Sequence, residues 1–198
     1  MSSPRIPRTE LTGLYGTMIR KFCERKLGRV PESMGVMWHN RAVLKTMVDM
    51  GGKAEKWDTC DAQLKSLAHL ATAAKVGCSF CFDFGYLQAS RDHLDLEKAR
   101  QVPHWRESAI YTPLEREVMA YAEAMSDMPP AVTDQMSARL LEQLGAPALL
   151  ELTAFIGVAN LTSRTNVALG IESEGFAVDA GLPPFTMPPT TRSLDRAA

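Results

Sequence analysis

Residues 64–85 read LKSLAHLATAAKVGCSFCFDFG, and this stretch sets the architecture of the chain. Leu64, Leu67, Ala68 and Ala71 recur at i, i+3, i+4 and i+7, the stripe of a core-facing helix. Ala68, Ala71, Ala73 and Ala74 keep that helix thin and predict close approach of its neighbours. Gly77 is placed to stop it, because glycine tolerates the positive φ just past a helix end. Cys78 then opens the next helix, about Cys78 to Ser90. A cysteine in a first turn meets unsatisfied backbone N–H groups and the positive end of the macrodipole, which favour the reactive thiolate. Cys81 follows one turn later on nearly the same face, within reach of a disulfide. The stretch therefore predicts an all-α fold and a dithiol/disulfide redox centre.

Composition narrows the function. The 198 residues fit one domain, and 45% apolar with 23% charged residues is ordinary for a globular chain with a core. A formal net charge of −1 gives no footprint for nucleic acid or an anionic membrane. The start, MSSPRIPRTE, has no apolar core or small-residue cleavage site, and the apolar run from Ala146 to Val158 is short and broken by Glu151. We expect a cytoplasmic protein. There, four cysteines (Cys23, Cys60, Cys78 and Cys81) do not suit a static disulfide framework, and a CxxC reads as catalytic or metal-binding. Structural zinc wants four ligands and no second CxxC or HxxxH spacing is present, so we expect no metal and no cofactor. The plain alternative is a pair of buried thiols at a helix start.

Outward from the centre, helical signals recur. An extended arm, residues 1–8, leads into a helix from Glu10 to Leu27 carrying Cys23 on its apolar side as a small buried hydrophobe. Pro31 suits the first turn of a second helix, with a break near Asn40 and an end at Gly51-Gly52. His39, inside this run, reads as a packed or surface residue. Asp58 or Thr59 can cap the alanine-rich helix, with Cys60 at its start. Asp92 or Asp95 caps a short helix ending at Pro103, and His104 to Ile110 read as a loop. Thr112-Pro-Leu-Glu115 is a capping box with proline at the first position, opening a helix to about Ser126. Thr133 caps the next, Gly145 and Pro147 make a tight junction, and a final helix runs from about Ala148 to Ile171. Residues from Gly175 onward, with Pro183, Pro184, Pro188 and Pro189, read as a tail or an arm laid on a neighbour. The expectation is about eight helices, divided as 1–25 (arm and first helix), 26–172 (the helical domain) and 173–198 (proline-rich tail).

The pattern resembles the alkylhydroperoxidase D/carboxymuconolactone decarboxylase (AhpD-like) superfamily. The resemblance is carried by Lys26-Leu-Gly-Arg-Val-Pro31, the alanine-rich helix running into Gly77-Cys78-Ser-Phe-Cys81, the stretch Thr112-Pro-Leu-Glu-Arg-Glu-Val, and Asn160-Leu-Thr-Ser-Arg164-Thr-Asn166. It implies an AhpD-like bundle forming homo-oligomers, commonly trimers or hexamers. It also implies reduction of organic hydroperoxides, Cys81 attacking and Cys78, the more exposed, resolving, with electrons returned by a lipoylated or other dithiol protein. The family's redox motif carries a glutamate and a histidine at the positions of Ser66 and Gly85, so that relay is missing here. A general base contributes about 10²–10⁴-fold, which makes the replacement matter. His69, one turn after Ser66, is the best substitute, and Asp83 is a second acid/base candidate although about 200° around the helix from Cys81. Tyr86, Asn160 and Arg164 are possible neighbours without assigned roles. The alternatives are a catalytically degenerate member that senses redox state or binds a small ligand, and a decarboxylase-like lyase, against which the retained cysteines argue.

Overall fold

The structure, a computed structural model, describes residues 4–183, and no strand occurs among them. The helices are α1 (Gly13–Leu27), α2 (Glu32–Met37), α3 (Arg41–Ala54), α4 (Ala62–Val76), α5 (Ser79–Arg91), α6 (Leu96–Gln101), α7 (Pro113–Ser126), α8 (Asp134–Leu169) and α9 (Phe176–Asp179), with a 3₁₀ turn at Val102–His104. The fold is the expected all-α bundle.

Helix α4 is the hub. Its alanines let α5, α7 and α8 pack on three sides, and Leu67, Ala68, Leu70, Ala71 and Ala73 are sealed from solvent. Near its start the Lys65 ammonium pairs with Glu151 of α8 at 2.9 Å, both side chains being almost wholly buried. The Glu151 carboxylate also accepts from the Thr59 N–H at 2.8 Å. Burial pushes the Glu151 carboxyl up, but Lys65 and the backbone donors of Thr59 and Cys60 outweigh it and hold the group below its ordinary value. Four residues on, His69 meets Phe155 with ring centroids 6.3 Å apart. Tyr121 and Ser126 of α7 reach Thr153 and Asn160 of α8 in the same order. The second half of α8 therefore runs parallel to α4 and α7, and its buried stripe is Leu152, Ile156, Ala159, Ser163 and Asn166.

Helices α1–α3 build a smaller core of Leu11, Ile19, Cys23, Trp38 and Leu44, with Tyr15 stacked on Trp38 at 5.9 Å. The arm is docked: Arg5 donates its backbone N–H to the Leu169 carbonyl at 2.8 Å and its guanidinium to Val167 and Ala168 at 2.8 and 2.7 Å. The last carbonyls of a helix run short of donors from their own helix, and Arg5 supplies them here, Val167 also accepting from the Gly170 N–H at 3.1 Å.

Several local expectations change. Asp61, rather than Asp58 or Thr59, caps α4, accepting from Gln63 and Leu64. Helix α3 passes through Gly51-Gly52 to Ala54. The tight junction expected at Gly145 and Pro147 is present: Gly145 leaves helical geometry (φ 76°, ψ 162°), so α8 is two helical segments that meet at a kink. Part of the expected tail is structure: α9 packs on α5, and Phe176 is sealed at right angles to Phe80 with centroids 6.0 Å apart. The rest of the tail reading, from residue 184, lies outside the described residues. The Thr112–Glu115 capping box stands as expected. Helix α8 is apolar and long enough to cross a membrane by length and composition. One face of it builds the core, while Leu150 and Leu161 stand exposed on another.

Candidate active site

Gly77 ends α4 in the left-handed conformation (φ 77°, ψ 29°), and the Cys78 N–H reaches back to the Ala73 carbonyl at 2.9 Å. This closing turn delivers Cys78 to the N-cap of α5, where its sulfur accepts the Cys81 N–H at 3.1 Å. Cys78 and Cys81 are disulfide-bonded, with Cα atoms 5.2 Å apart. The predicted pairing of the two cysteines is thus realised. One expectation fails: Cys78 is the less exposed of the pair, 1% against 4%, both sulfur-bearing residues lying in the main core.

Two side chains from other helices converge on Cys81. His69 of α4 places Nε2 3.2 Å from the Cys81 carbonyl oxygen. A carbonyl only accepts, so Nε2 carries the hydrogen, and in the neutral ring Nδ1 keeps its lone pair. Burial pushes the His69 pKa below its ordinary value, the bond to Cys81 acting more weakly the other way. From α8, the Asn166 amide donates to the Cys81 sulfur at 3.3 Å. An N–H donor on sulfur favours the anion over the thiol.

Gly85 explains how His69 reaches this position. A Cβ built on Gly85 would lie 2.6 Å from His69 Cδ2 and 3.0 Å from Nε2. The imidazole occupies the volume that a side chain at position 85 would fill. The glycine at this position and the histidine on α4 are therefore complementary halves of one contact. Ser66, the other departure, donates to the Asp92 carboxylate of α5 at 2.8 Å.

Asp83 has a different task from the acid/base chemistry considered for it. It is fully buried on the side of α5 away from Cys81, neither solvated nor in need of another subunit's cation. One oxygen accepts from the Ser173 hydroxyl and the Gly175 and Phe176 N–H groups at 2.8–2.9 Å, and the other from the Ala177 N–H at 2.9 Å. It anchors the turn that opens α9. Ser79, between the two cysteines, accepts from the Ser173 N–H at 3.1 Å, so this strap is fastened beside the disulfide as well.

The remaining sequence candidates lie elsewhere. Asn160 and Arg164 bond to Ser126 at the α7–α8 seam. Cys60 is buried, and burial with nearby Glu151 pushes its thiol up to about 11, an inert value. His39 bonds the Pro7 carbonyl at 2.8 Å. Asn166 is the functional residue that sequence reasoning misses. Its signal was available: Ser163 and Asn166 continue the stripe of Leu152, Ile156 and Ala159 with polar residues, and polar groups on a core stripe need a reason.

Comparisons with known proteins bear on the family and the fold. The model of the carboxymuconolactone decarboxylase family matches residues 41–124, which include α4, the two cysteines and most of α7. The uncharacterized protein YnjA of Escherichia coli (strain K12) is 35% identical over 127 residues, 64% of this chain and 70% of that protein. Among solved structures, the AhpD core of an uncharacterized peroxidase-related protein from Ralstonia eutropha JMP134 superposes with a TM-score of 0.78 at 16% identity, over 93% of this chain and all of that one. The debrominase Bmp8 superposes with a TM-score of 0.71 at 20% identity, over 81% and 87% of the two chains. Relatedness in sequence and likeness in fold lead to one assignment: the chain belongs to the carboxymuconolactone decarboxylase family, on the AhpD-like helical fold.

Proposed function

We propose that the protein is a thiol-dependent peroxidase that reduces organic hydroperoxides through Cys78 and Cys81. The Cys78–Cys81 disulfide at the start of α5 carries this reading. The cycle balances as follows. Nδ1 of His69, the ring nitrogen that keeps its lone pair, takes the Cys81 proton, and the thiolate attacks the terminal oxygen of the hydroperoxide. An S–O bond forms, the O–O bond breaks, and the alkoxide leaves with the proton returned by His69. Cys78 then displaces hydroxide from the Cys81 sulfenic acid as water, closing the disulfide. A lipoyl group or another dithiol on a partner protein reduces it by thiol–disulfide exchange. The Asn166 amide on the Cys81 sulfur supports Cys81 as the attacking sulfur, and His69 is held one hydrogen bond from the same residue's carbonyl.

A reducing compartment, hence the cytoplasm, suits such a cycle. Exposed Leu14, Met18 and Phe22, one turn apart on α1, and Leu150 and Leu161 on α8 support a homo-oligomer, a trimer or hexamer by the family's habit.

The test is a thiol count after one equivalent of cumene hydroperoxide is added to reduced protein. We expect loss of two thiols in the wild type, a Cys78–Cys81 linked peptide by mass spectrometry, and no such loss in Cys81→Ser. Survival of both thiols in excess hydroperoxide overturns the peroxidase reading and leaves a redox-sensing or ligand-binding member of the family. The same two electrons also suit reductive dehalogenation, the chemistry named for the similar debrominase, so bromide release from 2,3,4-tribromopyrrole is measured in parallel.

A further inference from the structure

Asn166 is 4% exposed and uses only half of its amide. Its Nδ2 donates to the Cys81 sulfur at 3.3 Å, while its Oδ1 is buried with no partner among the described residues. A buried amide oxygen is costly to leave unpaired, so its place beside a reacting sulfur calls for a ligand. Ser163, one turn earlier on the same stripe, also has a buried hydroxyl without a partner among the described residues, and no hydrogen bond joins it to either cysteine.

Building on the peroxidase reading, we propose that Asn166 is the substrate-orienting residue of the site: Oδ1 accepts the O–H of the hydroperoxide while Nδ2 holds the Cys81 thiolate. The chemistry matches this division. The oxygen that Cys81 attacks is the terminal one, and it keeps its hydrogen throughout, passing from RO–OH to Cys81–S–OH as the O–O bond breaks and the alkoxide departs. A fixed acceptor can hold that hydrogen from the bound state to the sulfenic acid. The distances match as well. The oxygen and nitrogen of one amide lie about 2.2 Å apart. A sulfur seated on one and an oxygen seated on the other are then about 3–4 Å from each other, around the separation of a near-attack pair. A single side chain thus stabilises the nucleophile and aims the electrophile, and it admits peroxides with a free O–H while offering nothing to dialkyl peroxides.

The experiment isolates the first step in the full-length Cys78→Ser protein. Two second-order rates are measured for Cys81: sulfenic acid formation with cumene hydroperoxide, trapped by dimedone and located by mass spectrometry, and alkylation by iodoacetamide, which has no O–H to donate in this way. Asn166→Leu removes both ends of the amide. We expect its hydroperoxide rate to fall about tenfold or more beyond its fall in alkylation, as a lost hydrogen bond in a buried site predicts. Asn166→Asp keeps an acceptor oxygen but adds a negative charge beside the thiolate. Both of its rates should fall, with their ratio within about threefold of the parent. Ser163→Ala, in the same stripe, should leave the ratio unchanged, which separates orientation from loosening of α8. Equal falls of both rates in Asn166→Leu, or a ratio in Asn166→Asp as poor as in Asn166→Leu, overturn the role of Asn166 and leave the peroxidase reading standing. A Cys78→Ser protein that alkylates at Cys81 yet never forms sulfenic acid overturns both.

Discussion

Alanine at position 85 tests the helix seam that holds the site together. In an exposed helix Gly→Ala is favourable by about 1 kcal/mol, because alanine restricts the unfolded chain and suits the helix. At Gly85 the new methyl would stand 2.6 Å from His69 Cδ2 and 3.0 Å from Nε2, well inside contact distance, while its next neighbour, Leu70 Cδ2, lies at an ordinary 3.4 Å. The ring must move, at an overpacking cost of about 1–3 kcal/mol, and its bond to the Cys81 carbonyl, about 1 kcal/mol net, is lost. Set against the helix gain, Gly85→Ala should destabilise the protein by about 1–3 kcal/mol. With His69→Ala the obstacle is gone, and the same substitution should stabilise by about 1 kcal/mol. The coupling between the sites is then about 2 kcal/mol or more, readable from urea unfolding of the four oxidised proteins at one protein concentration. Displacing the base should also slow hydroperoxide-dependent thiol loss about 10²-fold in Gly85→Ala. The reasoning is refuted if Gly85→Ala shifts stability in the same direction in both backgrounds.

Two other predictions concern the elements around the site. Asp83→Ala leaves the Phe176 and Ala177 N–H groups unpaired where the carboxylate received them, at about 1–3 kcal/mol each, so residues 173–180 should exchange their amide hydrogens about 10²-fold faster than in the wild type; unchanged exchange would show that packing of Phe176 alone holds the strap. His69 is held below its ordinary pKa by burial, so between that lowered value and about 6.5 the unfolded chain binds more protons than the native one, and stability rises with pH across this window and is lost as pH falls through it. Urea midpoints of the oxidised protein between pH 5 and 8 should show that slope, and His69→Ala should flatten it.

Much of this was legible in the sequence where the physics is local. The capping box at Thr112–Glu115, the left-handed stop at Gly77 and the Asp95 cap rest on residues within one turn of each other. The CxxC and its disulfide follow from the same kind of reasoning. What escaped depends on partners far along the chain. Asp83 could be seen to point away from Cys81, but its actual partners lie about ninety residues downstream, in a helix of four residues that carries no periodicity to read. The fate of Gly51-Gly52 was misread because glycine only permits a helix end, and these two open onto free space with nothing to force one. Asn166 was overlooked because a polar residue on an apolar stripe announces a buried contact without saying with what.

The missing relay shows why spacing motifs can mislead in a packed bundle. A motif measures distance along one chain segment, whereas a site is defined across the seam between two helices. Cys81, Gly85 and Gln88 of α5 and Asp92 at its C-cap follow one another at helical spacing, and on α4 Ser66 and His69 do the same. The observed contacts join these rows: Asp92 to Ser66, Gly85 to the His69 ring, and the Cys81 carbonyl to His69. Once the rows are in register, an imidazole can enter the seam from either wall, provided that the opposite position gives up its side chain. Gly85 has done so, and Ser66 is short enough to take its carboxylate partner from α5. Read along the chain, both changes are losses; read across the seam, Ser66 and His69 each have a polar counterpart on the facing segment. Whether the exchange also conserves chemistry is what Gly85→Ala decides, because it returns side-chain bulk to position 85 without returning a base.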